Sequence, residues 1–147
     1  SRMLAATTAK NYIDSVLLIN PKAKIIFMGD LNDYPDNNSV QNIMKELSPM
    51  ITKNSGTKGG SYSYQNSWDV LDHMMVSKGL QDSKGVQAIT NSGKINEFDY
   101  LFEVWKGNIV PFRTYDAVQS SRFKALPHLL MHLYGQLDHS IFDLSSQ

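Results

Sequence analysis

A short apolar run that stops at a cluster of polar residues gives this chain its clearest structural signal. The run Lys-Ile-Ile-Phe-Met occupies residues 24–28 and is followed at once by Gly29 and the cluster Asp30-Leu31-Asn32-Asp33. A continuous apolar run of this length, closed by a turn residue, is typical of a strand that is buried on both faces. We therefore predict a strand at residues 24–28 with the polar cluster at its carboxyl end.

Helical patterns flank this strand on both sides. Apolar side chains recur at helical spacing between residues 5 and 17, and Asn20-Pro21 closes the segment, which predicts an amphipathic helix. After the polar cluster, Asn38 or Ser39 can cap a second helix that ends before Pro49. Its apolar residues lie on one face: Val40, Ile43, Met44 and Leu47. The order helix, strand, helix predicts an α/β (α+β) unit.

The sequence returns to strand patterns after a polar loop at residues 48–60. Residues 61–64 alternate small with aromatic side chains, and residues 68–77 alternate so that Asp72 shares a face with apolar residues. An unpaired carboxylate on such a face is costly to bury, so Asp72 needs a partner. We also predict a short strand at residues 86–90 and a short helix at residues 97–105.

Composition narrows the chemistry that this chain can perform. Its 147 residues, 41% of them hydrophobic, suffice for one ordinary core. The 14 basic and 14 acidic residues balance, so no net charge attracts the chain to nucleic acid or an anionic membrane. The absence of cysteine excludes disulfides, cysteine-ligated zinc and thiol catalysis. No apolar run is long enough to span a bilayer and no leader-like segment is visible, so we expect a soluble chain and assign it no compartment.

The tetrapeptide Gly-Asp-Leu-Asn at the end of the predicted strand has two interpretations. It places Asp30 and Asn32 on the same side of the strand and close to solvent. There Asp30 can accept a proton from an attacking water or orient it, while Asn32 donates to a phosphate or contacts a metal-bound substrate. The alternative is that both residues only close a tight strand-to-helix turn, where both residue types are common.

Residues 20–36 (NPKAKIIFMGDLNDYPD) resemble the central motif of the endonuclease/exonuclease/phosphatase superfamily, a buried strand that ends in Gly-Asp-Phe/Leu-Asn and precedes Asp/Glu-x-Pro. Residues 60–64 and 68–77 resemble a second strand of that family, with Leu-Asp, an aromatic residue or histidine, two hydrophobic residues and Val-Ser. The resemblance implies hydrolysis of phosphate esters with Mg²⁺ or Mn²⁺. It makes Asp30 the water-activating base and a candidate metal ligand, makes Asn32 catalytic, and pairs Asp72 with the histidine of a closing Ser-Asp-His motif.

The closing motif has its nearest match at residues 136–142 (QLDHSIF). There Asp138 would bind metal and His139 would be the catalytic histidine, although Leu137 stands where the family has serine. The alternative is a surface Asp-His pair. Residues 111–115 resemble a loop from a bacterial branch of the family, whereas residues 116–147 depart from the family pattern.

The family's first metal-binding Asn and Glu, and a histidine of an upstream motif, precede the first helix seen here. The resemblance therefore implies that residues 1–147 form a single C-terminal segment of the domain. This segment would be half of a four-layer α/β sandwich, a mostly antiparallel sheet with helices on one face and an apolar surface on the other. We expect that surface to pair with the N-terminal half of the same domain or to self-associate.

Two functions of different classes follow from this resemblance. In the first, the parent protein is a phosphodiesterase, nuclease or phosphatase acting on nucleic acid, phospholipid or sugar phosphate, and the isolated chain is inactive. In the second, the chain is a non-catalytic remnant or interaction module that kept the scaffold without a complete metal site.

Other residues have both a functional and a structural interpretation. His128 and His132 are four residues apart, which suits metal ligands but also surface histidines. Lys53 and Lys58 flank a loop that can contact phosphate or simply be solvated. Three aromatic residues lie on the predicted strands: Tyr62, Tyr64 and Trp68. They can stack on a base or sugar, or they can pack in the core.

Overall fold

A three-stranded antiparallel sheet with two helices packed on one face organises this chain. The computed structural model describes residues 1–52, 55–112 and 132–133. The helices in these ranges are α1 (Arg2–Ile19) and α2 (Asn38–Met44). The strands in these ranges are β1 (Ile26–Asp30), β2 (Leu47–Pro49), β3 (Tyr62–Tyr64), β4 (Ser67–Asp69), β5 (Asp72–Ser77), β6 (Gly93–Lys94), β7 (Phe102–Trp105), β8 (Asn108–Pro111) and β9 (His132–Leu133). The mixture of helices and mostly antiparallel sheets confirms the predicted α+β class.

Helix α1 confirms the first predicted helix and extends it at both ends. Ser1 caps it, with its hydroxyl oxygen accepting the Leu4 N–H at 3.4 Å. At the other end the Asn20 N–H donates to the Val16 carbonyl at 2.9 Å, and Pro21 follows. The capping hydroxyl of Ser1 therefore marks the start of the helix, and Pro21 prevents its continuation at the other end.

Strand β1 lies two residues later than predicted and, among the strands that the structure describes, at an edge of the sheet. The order of the main sheet is β1-β5-β2, with both pairings antiparallel. Burial on both faces was the wrong prediction, because Ile26 and Met28 are 49% and 64% exposed while Phe27, which points to the other face, is half-buried. Ile25, which precedes the strand, is held by Ser77, whose hydroxyl accepts the Ile25 N–H at 2.9 Å.

The main core lies between the two helices and one face of the sheet. Its buried residues come from both helices, β2 and β5: Ala6, Ile13, Val40, Ile43, Leu47 and Met75. Phe27 packs against this cluster from β1. The helices on one face are thus confirmed. Leu47 belongs to the core as predicted, but it does so from β2, so the last turn of the second predicted helix is wrong.

A second cluster packs against the far side of β5. Its buried members are Ile51, Val70, Met74 and Ile95. Trp68 joins them and meets Phe102 edge-on, with ring centroids 6.0 Å apart. Trp68, Val70 and Met74 therefore share one cluster, as their alternation predicted, although they lie on two separate strands or between them because β4 ends at Asp69 and β5 begins at Asp72.

Two tight hairpins shape the remainder of the described chain. The β3–β4 turn consists of Gln65 and Asn66, and the β7–β8 turn consists of Lys106 and Gly107, all with positive φ. Two left-handed residues in a two-residue loop form the hairpin turn that matches strand twist.

Two other predictions about these regions are contradicted by the structure. The helix predicted at residues 97–105 is wrong, because a short 3₁₀ turn at Asp99–Leu101 leads directly into β7. The strand predicted at residues 86–90 is also wrong, since these residues belong to no strand and the Ala88 N–H donates to the Leu80 carbonyl at 2.7 Å. None of the helices in the described ranges combines the length and apolar character needed to cross a bilayer.

Candidate active site

The register of the main sheet brings two acidic residues face to face at its end. Asp30 and Asp72 are the last pair of the β1–β5 ladder, so they are direct neighbours across the strands. Side chains opposite each other in an antiparallel pair lie about 5 Å apart at Cβ, and like charges there are destabilising. Asp30 is exposed and Asp72 is half-buried. A positively charged group near this pair would therefore be stabilised.

Asp30 and Asn32 are held together by a turn rather than by a shared strand. The strand ends at Asp30, and Asn32 lies beyond it with a left-handed φ of 53°. The Asn32 N–H donates to Asp30 Oδ1 at 2.8 Å, and the Leu31 N–H donates to the Leu71 carbonyl at 3.0 Å. Placing the two side chains on one side of a strand was thus wrong. The tight-turn interpretation describes their backbone correctly, while Asp30 itself stays accessible.

Arg2, the first residue of α1, fastens the helix to this turn. Its Nη1 donates to the Asn32 carbonyl at 2.8 Å, and its Nε lies 3.3 Å from Asp33 Oδ2. The guanidinium thus binds a backbone oxygen and the next side chain at once, with the planar fork geometry that arginine provides. The side chain remains 62% exposed on its outer side.

Asp33 is the buried polar centre beneath the turn. Its carboxylate accepts hydrogen bonds from the Ser39 hydroxyl and the Asn37 amide. The Ser39 hydroxyl holds the pKa of the Asp33 carboxyl below its usual value, burial opposes this shift, and Asn37 and Arg2 reinforce it. The carboxylate is therefore ionised and fixed in place at neutral pH.

His73 supports the same loop from below. It is 2% exposed, and its Nε2 lies 2.8 Å from the Asp33 carbonyl oxygen, so that nitrogen carries the proton and donates. The sequence prediction assigned no role to Arg2, Asp33 or His73. For Asp33 a signal was present, because hydroxyl and amide residues stand just downstream at the start of α2.

An open cleft of about 260 Å³ borders the turn. The lining comes from α1, from the turn, from the segment that precedes α2, from strand β3 and from the residue before β5. These residues are Arg2, Asn32, Asp33, Tyr34, Asn37, Tyr62, Tyr64 and Leu71, of which only Leu71 is aliphatic. Tyr62 and Tyr64 therefore face the cleft, whereas Trp68 packs in the second cluster. Arg2 and Asp33 also line a second hollow, of about 400 Å³, together with other residues of α1 and α2.

The structure thus brings Asp30, Asn32 and Asp72 together at one end of the sheet. Within the described ranges, no three His, Asp or Glu side chains are grouped closely enough to hold a metal ion among them. Lys58 is drawn to the Phe102 ring, with its Nζ 4.9 Å from the ring centroid. Predictions on Lys53, His128, Asp138, His139 and the side chain of His132 lie outside the described residues, as do those on residues 113–131 and 134–147.

Comparison with known proteins identifies a family. The sequence profile of the Endonuclease/Exonuclease/phosphatase family matches residues 1–122, which contain both acidic residues of the sheet end and the whole lining of the cleft. No curated protein and no solved structure matches the chain significantly.

Proposed function

This chain belongs to the endonuclease/exonuclease/phosphatase family, and from that membership we propose that it carries the Gly-Asp-Leu-Asn part of a divalent-metal-dependent phosphoesterase site. Members of this family are typically hydrolases of phosphate esters that use divalent metals. The observation that supports the proposal best is the position of Asp30, which is exposed at the end of β1, opposite Asp72 and bonded to the turn that presents Asn32.

Asp30 is suited to activate water. One of its oxygens is tied to the Asn32 N–H, which fixes the orientation of the carboxylate. In the proposed reaction a water oxygen attacks phosphorus as its proton passes to Asp30, the P–O ester bond breaks, and the departing oxygen takes a proton from an acid. His139 is our candidate for that acid, and the side-chain amide of Asn32 donates to a phosphoryl oxygen.

The donor atoms at this place fit Mg²⁺ or Mn²⁺. Mg²⁺ commonly binds one or two carboxylates and completes its shell with water and substrate phosphate, and Asp30 offers an exposed carboxylate. We propose Asp30 as a ligand, with Asp138 as a second. When bound, the cation neutralises charge that develops on the phosphoryl oxygens.

We also propose that the chain is the C-terminal half of its domain, from a bacterial branch of the family, and that its partner is the N-terminal half. The exposed apolar side chains of β1 support this proposal, because a large apolar surface at a sheet edge is favourable to cover. A copy of the same chain is the alternative partner. On this view the isolated chain is inactive, and a scaffold without catalysis is the competing function.

The test compares Asp30→Asn with the unaltered sequence in the complete protein. The substrate is bis-p-nitrophenyl phosphate, assayed with saturating Mg²⁺ or Mn²⁺ and again with a chelator. Loss of a general base should lower kcat by about 100- to 10,000-fold while the fold is kept. Asp36→Asn is the control, since Asp36 is exposed in the same loop and has no proposed role.

Two outcomes would overturn the proposal. An Asp30→Asn variant within about twofold of the unaltered enzyme would remove Asp30 from the mechanism, since that is only about 0.4 kcal/mol of barrier. Turnover that is unchanged by a chelator would show that the reaction does not depend on a metal ion.

A further inference from the structure

Three tyrosines surround the cleft beside the proposed catalytic turn. Tyr62 and Tyr64 are two residues apart on β3, so both side chains project from the same face of the hairpin. Ser63 between them is buried on the opposite face. Tyr34 follows Asn32 and Asp33 on the turn side of the cleft. Tyr64 is 60% exposed and Tyr34 is 42% exposed, so aromatic surface faces solvent here although Trp68 of the same hairpin is packed inside.

The polar groups of the cleft bind each other, which restricts what a ligand can use. The Asn37 amide donates to Asp33, and the Arg2 guanidinium bonds to the Asn32 carbonyl and lies against Asp33. The Asp33 carboxylate and the inner side of the Arg2 guanidinium are therefore already bonded within the protein. Leu71 is the one aliphatic side chain in the lining, so an acyl chain would find little surface. Three of the eight lining side chains are tyrosines, so aromatic rings form a large part of the lining.

Size and charge narrow the ligand further. A volume of about 260 Å³ is below the roughly 300–1,000 Å³ of pockets that enclose drug-sized ligands, so one ring system fits better than several. The chain has a formal net charge of zero, which gives no basic track for an extended phosphate backbone. The exposed side of Arg2 nevertheless places one positive charge at the border of the cleft.

We infer that this cleft binds the base of a single nucleotide unit, stacked on Tyr64 and Tyr62, with its phosphate ester directed to Arg2 and Asn32. Every base has a planar face, and aromatic side chains stack on bases without regard to sequence. This inference rests on the proposed function only for the orientation of the ester. It makes Tyr64 a residue that determines the substrate class, nucleotide esters over lipid or sugar phosphates.

Binding without metal tests the cleft apart from catalysis. The probes are adenosine 5′-monophosphate, ribose 5-phosphate and inositol 1-phosphate, titrated calorimetrically into the full chain with a chelator present. Adenosine monophosphate should bind about 5- to 150-fold more tightly than ribose 5-phosphate, which is the range of base–aromatic stacking. Tyr64→Ala should remove this difference and Tyr64→Phe should keep it. Tyr12→Ala is the matched control, because Tyr12 is 73% exposed on α1 and outside the cleft.

A second arm uses hydrolysis by the complete protein. Tyr64→Ala should raise KM for a dinucleotide by a larger factor than KM for glycerophosphoethanolamine, which has no ring. If neither ester is hydrolysed, the proposed function fails while the binding arm still decides the inference. Equal binding of the three probes, tighter binding of either sugar phosphate, absence of binding, or a Tyr64→Ala variant that keeps the preference for the base would each overturn it.

Discussion

Replacing Asp33 by alanine should destabilise the chain by about 3 kcal/mol. The change removes a buried carboxylate that accepts from the Ser39 hydroxyl and the Asn37 amide, and hydrogen bonds to a charged group contribute about 1.5–3 kcal/mol each. The ion pair with Arg2 adds less than about 1 kcal/mol because Arg2 is mostly exposed. Asn37 is half-buried and can form a replacement hydrogen bond with water. The total loss of stability therefore lies near the lower end of the range expected for two such hydrogen bonds.

Urea unfolding followed by tryptophan fluorescence measures this loss, since Trp68 is packed in the second cluster. The midpoint should fall at an unchanged m value. Asp14→Ala is the control, because it removes a partly buried i,i+4 ion pair with Lys10, which keeps Glu46 as a second partner, and it should cost less than Asp33→Ala. An Asp33→Ala loss no larger than that of Asp14→Ala would refute the reasoning.

The same carboxylate gives a pH dependence of known sign. The folded-state pKa of Asp33 lies below its ordinary value of 3.8, so its stabilisation is complete above that value and is lost as pH falls through the folded pKa. The stability difference between the unaltered chain and Asp33→Asn should therefore be constant above about pH 5 and shrink below about pH 4. A difference that grows on acidification would contradict the lowered pKa.

Three further changes test other parts of the site and its support. Glycine at position 32 tolerates the left-handed backbone, whereas Asn32→Ala strains it by about 1–2 kcal/mol. Both variants should lower kcat, but only Asn32→Ala should lower Tm. A fully active Asn32→Gly variant would show that Asn32 serves the turn and not catalysis. Asp72→Asn should alter the shape of the pH profile of kcat/KM in the complete protein, and a uniformly scaled profile would argue against a titrating histidine partner. Gly60→Ala would place a Cβ 2.2 Å from the Asp69 carbonyl oxygen and should cost about 1–3 kcal/mol in chemical unfolding, so an unchanged midpoint would contradict that close approach.

Local patterns predicted the elements that depend on neighbours in sequence. Helix α1 has its cap, its apolar spacing and its terminal proline within one stretch, and the run at residues 24–28 marked β1 to within two residues. The edge position of β1 could not be predicted in the same way, because apolar composition does not distinguish a central strand from an edge strand that exposes Ile26 and Met28.

Contacts between distant residues account for most of what the sequence did not reveal. Arg2 contacts Asn32 from the start of α1, and His73 contacts Asp33 from β5. Neither contact can be predicted from the spacing of neighbouring residues in the sequence. The wrong helix at residues 97–105 is different. A short apolar run is compatible with a helix or a strand. The turn residues Lys106-Gly107 directly after it indicate a hairpin and would have favoured the strand.

The edge position of β1 has a consequence for handling the chain on its own. In the described ranges no strand pairs with the outer side of β1, so its backbone groups form a template on which another chain can add. The uncharged stretch Ile26-Phe27-Met28 favours such growth into aggregates, and the charges of Lys24 and Asp30 at its two ends act as gatekeepers. Asp30→Asn removes one gatekeeper. Low yield of that variant would therefore report lost solubility rather than a damaged fold.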